Sequence, residues 1–176
     1  MIVKSLEHLN SLSKKVADQL IKNDCIFLIG EIGVGKTTFT RNFINYLQKK
    51  NVTLSLPLIN KKKKSLIFKK WVPTDQLTQG PLGTMQPSKT QISILPQILV
   101  VPMLSFDRGL FRLGYGGGYY DKSIYILKKH FQKQKKFFIT IGLAYSIQEE
   151  KKIPREKHDM KLDYIITENE VLSNVN

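Results

Sequence analysis

The sequence contains little that would tie it to an oxidising compartment or to a membrane. Cys25 is the only cysteine among 176 residues, so an internal disulfide is excluded. No apolar run approaches the roughly 20 residues that cross a bilayer, and the opening residues MIVKSLEHLN show no secretory pattern. These absences predict a cytoplasmic protein without a membrane partner, in which Cys25 packs as a small residue inside an apolar strand.

Carboxylates are also scarce. The sequence has 14 Asp and Glu residues and 28 Lys and Arg residues, so the net charge is +14. Such an excess can indicate nucleic-acid binding. Here lysine greatly outnumbers arginine, the usual residue of base recognition, and the lysine runs fall at predicted turns and helix ends. We therefore expect no nucleic-acid partner, but rather an electrostatic field that attracts small anions.

Apolar and amphipathic segments alternate along the chain. Strands are predicted over 25–29, 52–58, 66–70, 98–103, 137–143 and 164–167, and helices over 9–22, 36–50 and 118–131. This alternation predicts an α/β fold, a three-layer α/β/α sandwich with a largely parallel central sheet. Two units are expected, a segment 1–50 and a core 51–176, and both contribute to one sheet.

Residues 112–121, RLGYGGGYYD, combine a glycine-rich loop with one arginine and one carboxylate. Glycines let backbone N–H groups turn toward an anion, Arg112 can fork onto phosphate oxygens, and Asp121 can hold Mg²⁺. The alternative is a glycine-rich turn that opens an amphipathic helix. The loop follows a predicted strand and precedes a predicted helix, where α/β folds bind ligands. The predicted ATP-binding residues are therefore Arg112, Gly114, Tyr115, Gly116, Gly117, Gly118, Tyr119 and Asp121.

A second phosphate-binding pattern lies nearer the N-terminus. Residues 30–37, GEIGVGKT, match G-x-x-x-x-G-K-[ST] between an apolar run and a helical stretch. The backbone would cradle phosphates, Lys36 would reach their outer oxygens, and Thr37 would face Mg²⁺. The predicted nucleotide contacts of this loop are Gly30, Gly33, Gly35, Lys36 and Thr37.

The string LVVPMLSFDRGLFRLGYGGGYYDK, residues 99–122, resembles the signature of 5-formyltetrahydrofolate cyclo-ligases. The resemblance continues upstream in NVTLSLPLI, the lone Trp71 and GPLGTMQP, and downstream in ITIGLAYSIQ and IPREKHDMKLDYIITE. It covers about residues 51–171, and its several ordered motifs make it far more specific than one glycine loop.

This resemblance implies an enzyme that uses ATP and Mg²⁺ to convert 5-formyltetrahydrofolate to 5,10-methenyltetrahydrofolate. It also implies the sheet arrangement of sugar-phosphate isomerases and CoA transferases. Arg112 and Asp121 would be the catalytic residues, with Arg112 on phosphate and Asp121 on Mg²⁺. The implied folate contacts are Trp71, Phe106, Tyr119 and Tyr120, any of which can instead be a core residue.

The string SLSKKVADQLIKNDCIFLIGEIGVGKTTFTRNFINYLQ, residues 11–48, instead resembles the small bacterial ATPase of tRNA threonylcarbamoyladenosine biosynthesis. It stands where cyclo-ligases carry a basic helix and a Glu-Ile-x-Thr element of the folate pocket. Two alternatives to the folate enzyme therefore remain open. One is a P-loop ATPase that acts with tRNA-modification proteins, and the other is a noncatalytic ATP-binding fusion product.

Overall fold

The computed structural model describes residues 25–27 and 44–173. The predicted helix 9–22 and the Gly30–Thr37 loop lie outside the described residues, and the predicted helix 36–50 is described only from residue 44, with 44–49 helical. Within the described ranges, no helix has both the length and the apolar character that crossing a bilayer requires.

Seven of the described strands form one sheet, in the order β11-β10-β9-β6-β1-β2-β3. The five inner strands run parallel, and the outer strands β3 and β11 pair antiparallel with their neighbours. The fold is therefore α/β with a largely parallel sheet. Its strands are β1 (Cys25–Phe27), β2 (Thr53–Asn60), β3 (Ser65–Lys70), β6 (Ile98–Val101), β9 (Ile139–Leu143), β10 (Tyr164–Ile166) and β11 (Val171–Ser173).

Both faces of the sheet are covered by apolar residues. All four residues of β6 are buried, as expected for a parallel strand between two layers. Leu99 and Val101 belong to one core cluster, whereas Ile98 and Val100 belong to the other. Because alternate residues of a strand point to opposite faces, the two clusters lie on opposite sides of the sheet.

The helix α1 (Tyr119–Lys133) covers the first of these faces. Its buried residues recur at helical spacing and are Ser123, Ile124, Leu127 and Phe131. Gly118 adopts a left-handed conformation immediately before the helix, with φ of 62°. The predicted helix 118–131 is thereby confirmed, and it starts where the glycine-rich loop ends.

Short hairpins occupy segments where no strand was predicted. After β6, the chain forms β7 (Ser105–Phe106) and β8 (Arg112–Leu113), and the earlier loop region contains β4 (Thr78–Gln79) and β5 (Met85–Gln86). The predicted strand 98–103 ends at Val101 because Pro102 has no N–H for the ladder. The β7–β8 hairpin therefore separates the buried strand from the glycine-rich loop.

Close packing around β9 predicts a large effect of a small substitution. A Cβ added to Gly142 would overlap the Met103 side chain and lie 2.9 Å from Leu162 Cδ1. We expect Gly142→Ala to lower the free energy of unfolding by about 2 kcal/mol, because overpacking forces shifts in a dense core. Urea denaturation measures this. Gly114→Ala is the control, since its Cβ would meet nothing within 4 Å, and equal stability of the two variants would contradict the prediction.

Candidate active site

The carboxyl ends of the parallel strands bring several connecting loops to one edge of the sheet. The segment after β6 and the turn after β9 are joined there, because the Gln148 side chain donates a hydrogen bond to the Leu104 carbonyl at 2.8 Å. Gln148 also accepts a hydrogen bond from the Tyr145 amide, which closes its own turn. Open α/β sheets bind ligands at this edge.

The glycine-rich loop 114–118 lies at this edge and opens directly onto α1. Residues 115–118 are exposed, and Gly116 and Gly118 have φ values of 77° and 62°. Such left-handed conformations favour glycine. The Tyr119 ring lies against Gly117, where an added Cβ would stand 2.7 Å from the ring. The first N–H groups of a helix have no intrahelical acceptor, so the start of α1 can receive an anion.

Arg112 and Asp121 flank this loop and bind each other. The two guanidinium Nη atoms donate to the two Asp121 carboxylate oxygens at 3.0 and 3.1 Å. The Met160 amide donates to the same carboxylate at 3.0 Å. The Arg112 and Asp121 side chains are 5% and 13% exposed, so water screens the pair little.

This pair controls the charge at the base of the loop. Burial by itself raises the pKa of the Asp121 carboxyl, but the hydrogen bonds and charge of Arg112 outweigh it and hold that pKa below its ordinary value. Asp121 is therefore an anion at neutral pH. Arg112 Nε is buried without a hydrogen-bond partner in the part of the chain that the structure describes, so one donor of the guanidinium remains for an acceptor.

Asp107 anchors the hairpin that carries Arg112. Its buried carboxylate accepts hydrogen bonds from the Phe111 amide at 3.2 Å, the Ile153 amide at 3.0 Å and the Arg155 guanidinium at 2.7 Å. The Arg155 guanidinium also lies 4.0 Å from the centre of the Phe111 ring. Leu110 has a φ of 65° in the same turn. The hairpin is thus attached to the segment that follows β9.

The predicted folate contacts do not lie together. Phe106 is 0% exposed in the main core, so its ring offers no surface to a ligand. Tyr120 packs against the same core, and burial raises the pKa of its hydroxyl. Trp71 packs against the cluster on the opposite face, and its backbone amide donates a hydrogen bond to the Leu54 carbonyl near the amino end of β2. Of the four, the structure brings only Tyr119 onto the glycine-rich loop.

Two supporting residues were absent from the predicted site, namely Asp107 and Gln148. A signal for Asp107 existed, because Asp two residues before Gly in SFDRG is typical of a turn. No local pattern could pair Asp107 with Arg155, 48 residues away. Among the described residues, His, Cys, Asp and Glu form no group of three that could hold a metal ion.

The chain is similar in sequence to a known protein family. The family model of the 5-formyltetrahydrofolate cyclo-ligase family matches residues 7–168, which extends the resemblance well before residue 51. The Haemophilus influenzae 5-formyltetrahydrofolate cyclo-ligase is 32% identical over 128 residues, covering 70% of this chain and 65% of that protein. The Escherichia coli cyclo-ligase is 29% identical over 111 residues, covering 61% of this chain and 58% of that protein. The match therefore spans less than two thirds of either relative.

Two solved structures are similar to this chain in fold. The Aquifex aeolicus 5,10-methenyltetrahydrofolate synthetase is 26% identical with a TM-score of 0.62, and the match covers 99% of this chain and 87% of that one. The Mycoplasma pneumoniae 5,10-methenyltetrahydrofolate synthetase is 22% identical with a TM-score of 0.64, covering 96% and 90%. With a family match over nearly its whole length, the chain belongs to the 5-formyltetrahydrofolate cyclo-ligase family.

Proposed function

We propose that the protein converts 5-formyltetrahydrofolate and ATP to 5,10-methenyltetrahydrofolate, ADP and phosphate. The main structural support is the loop 114–118, which directly precedes helix α1 and is flanked by the buried ion pair of Arg112 and Asp121. The family match adds the substrate class. ATP would lie with its phosphates on the loop amides and on Arg112.

In the proposed reaction, the formyl oxygen attacks the γ-phosphorus of ATP and ADP leaves. N10 of the folate then attacks the formyl carbon and loses its proton, and the C–O bond breaks to release phosphate. Such chemistry requires alignment and dispersal of phosphate charge more than a protein nucleophile. The loop amides would hold the phosphates, and Arg112 would balance the charge that develops on the transferred group.

Asp121 is the proposed Mg²⁺ ligand. Mg²⁺ binds through one or two carboxylates, phosphates and several waters, so a single carboxylate beside the loop suits it. Arg112 would have to release one carboxylate oxygen, which it can do by turning toward the phosphate. When bound, the ion would neutralise charge on the phosphate oxygens. Tyr119 is the proposed stacking residue on the loop, whereas Trp71, Phe106 and Tyr120 would support the site from the core.

The finer architecture is also a proposal. A three-layer sandwich of the isomerase and CoA-transferase kind is supported by the two core clusters on opposite faces of the sheet. A first segment 1–50 that completes the sheet of the core 51–176 is supported by β1, which pairs with β2 and β6. The resemblance of residues 11–48 to the tRNA-modification ATPase, and a cytoplasmic location, stay predictions.

An absorbance assay tests the proposed function. We expect the protein, with magnesium-ATP and 5-formyltetrahydrofolate, to form methenyltetrahydrofolate slowly, because the family's Glu-Ile-x-Thr element is replaced here by the Gly30–Thr37 loop. Each missing polar contact costs about 1 to 3 kcal/mol, so losing two lowers kcat/KM by about 30-fold or more. Glu150→Ala, an exposed carboxylate, should leave the rate unchanged.

If concentrated protein forms no methenyl product and instead hydrolyses ATP in a way that Lys36→Ala abolishes, the folate function is wrong. That result would favour the P-loop ATPase of tRNA modification. Product that forms in the wild type and is lost in Asp121→Ala supports the folate enzyme.

A further inference from the structure

The turn of the β7–β8 hairpin carries an arginine that binds two carboxylates at once. Arg108 Nε and Nη2 donate to the two carboxylate oxygens of Glu149 at 2.7 and 3.2 Å. Arg108 Nη2 and Nη1 also donate to the two oxygens of Glu170 at 2.8 and 3.4 Å. Each carboxylate is thus bound through both of its oxygens, which fixes the plane of the guanidinium as well as its position. We call these three residues the Arg108 clamp.

The Arg108 clamp connects three loops at the carboxyl edge of the sheet. Arg108 lies in the segment after β6, Glu149 follows β9, and Glu170 lies between β10 and β11. The loops after β9 and β10 are also joined directly, because the hydroxyl and the amide of Ser146 both donate to the Glu168 carboxylate, the amide at 2.9 Å. The two carboxylates of the clamp therefore belong to loops that are attached to each other independently of Arg108.

The hairpin that the clamp holds also carries Arg112. Each of its strands has two residues, and Phe106 pairs with Arg112. A hairpin of this size has little stability of its own, so its orientation depends on the contacts that attach it to the rest of the fold. Asp107 attaches it through a buried carboxylate, and the Glu150 amide donates to the Phe106 carbonyl at 2.7 Å. Arg108 adds an attachment on the exposed side, toward the loop after β10.

The exposure of the clamp argues against a mainly stabilising role. The Arg108 side chain is 62% exposed, and those of Glu149 and Glu170 are 28% and 42% exposed. Exposed ion pairs contribute little to the free energy of unfolding, because water and salt screen them. A planar guanidinium nevertheless matches a carboxylate in only a narrow range of orientations. The clamp is therefore better suited to orienting the hairpin than to stabilising the whole fold.

We propose that Arg108 is a positioning residue of the active site and that it acts on Arg112 through the hairpin. This inference rests on the proposed function, in which Arg112 balances charge on the transferred phosphoryl group. A displacement of about 1 Å can lower the rate of such a reaction by about 100-fold. Without the clamp, the hairpin would keep its attachment at Asp107 but would be free to turn about it. Arg112 would then spend less time in the orientation that the reaction requires.

Variants that change the charge in opposite directions separate positioning from simple attraction of the anionic substrates. Arg108→Lys keeps the positive charge but cannot form the fork, whereas Arg108→Ala removes both. The double variant Glu149→Gln with Glu170→Gln removes two negative charges. Lys151→Ala is the matched control, because Lys151 is an exposed cation two residues after Glu149 and forms no salt bridge in the described part of the chain. For each variant, kcat and the KM values for ATP and 5-formyltetrahydrofolate are measured.

We expect both Arg108 variants and the double carboxylate variant to lower kcat about tenfold, with KM for ATP changed less than about threefold. A purely electrostatic effect would instead weaken ATP binding when the cation is removed and strengthen it when the carboxylates are removed. Lys151→Ala should keep the wild-type values, and the urea midpoint of every variant should stay close to that of the wild type. Wild-type kcat in Arg108→Lys, opposite effects in the cation and carboxylate variants, an equal loss in the control, or a loss that follows unfolding would overturn the proposal.

A spectroscopic measurement tests the inference separately from the proposed function. The chain has four arginines, and the NMR resonance of the Arg112 Nε–H group is identified by its loss in Arg112→Lys. Because Arg112 Nε is buried, this resonance reports the surroundings in which the hairpin places the guanidinium. We expect it to shift or broaden in Arg108→Lys and in the double carboxylate variant, but not in Lys151→Ala. If the wild type forms no methenyl product, the proposed function fails and this resonance alone decides the inference, which an unchanged signal in both clamp variants would overturn.

Discussion

Asp121→Ala is expected to weaken magnesium-ATP binding and to destabilise the fold. The Arg112 side chain is only 5% exposed, and the substitution removes the carboxylate that pairs with it. The substitution also leaves the Met160 amide without its hydrogen-bond acceptor. Breaking a buried ion pair costs about 3 to 5 kcal/mol. Because Asp121 is partly exposed, we expect the free energy of unfolding to fall by about 3 kcal/mol. Loss of charge-assisted and metal contacts should weaken nucleotide binding by about 1.5 to 3 kcal/mol.

Two measurements separate these effects. Urea denaturation gives the free energy of unfolding, and calorimetry under conditions where each variant is folded gives the affinity for magnesium-ATP. Arg112→Ala should weaken binding by a similar amount, and a double-mutant cycle should show coupling because the residues share two hydrogen bonds. Unchanged affinity in both variants, with binding abolished in Lys36→Ala, would transfer the nucleotide to the Gly30–Thr37 loop.

Among substitutions of residues outside the proposed ligand-binding site, Asp107→Ala is expected to give the largest loss of stability. The side chain is 2% exposed and satisfies two backbone amides and the Arg155 guanidinium. Each amide left unsatisfied costs about 1 to 3 kcal/mol, whereas Arg155, which is 39% exposed, can turn to water. We expect a loss of about 3 to 4 kcal/mol by urea denaturation, against no measurable change in Glu150→Ala.

The same carboxylate predicts a pH dependence of stability. Burial raises the pKa of Asp107, but hydrogen bonds from Arg155 and two amides lower it below its ordinary value. Because the folded pKa is the lower one, the stabilisation is complete above the unfolded pKa of about 4 and is lost as the pH falls through the folded pKa. Asp107→Asn should flatten the fall of stability below about pH 5. An unchanged acid slope would contradict this account.

Local patterns were sufficient for the elements with strong periodicity. Helix α1 and the strands β2, β6, β9 and β10 follow from apolar spacing, which sets the buried face of each element whatever its neighbours are. The loop 114–118 was found for a similar reason, since four glycines in five residues beside Arg112 and Asp121 leave few other roles. Each of these features is encoded within about 20 consecutive residues.

The hairpin of β7 and β8 was missed because strands of two residues carry too little periodicity to be recognised. The antiparallel β11, which has three residues, was also missed. Exposed and buried aromatic residues were also indistinguishable, and Phe106 was predicted as a folate contact although its ring lies inside the core. Apolar side chains serve a core and a ligand pocket equally well, so composition does not separate these roles.

Tertiary structure alone decided how the charged residues are paired. Arg112 binds Asp121 nine residues away, but Asp107 binds Arg155 at a separation of 48, and Ser123 joins Leu66 at a separation of 57. The sequence pattern around a charged residue does not show which residue it pairs with. The pKa of that residue also depends on burial and on neighbours that only the fold supplies. The chemical elements of the site are thus local in the chain, whereas their protonation and their rigidity arise from contacts between distant segments.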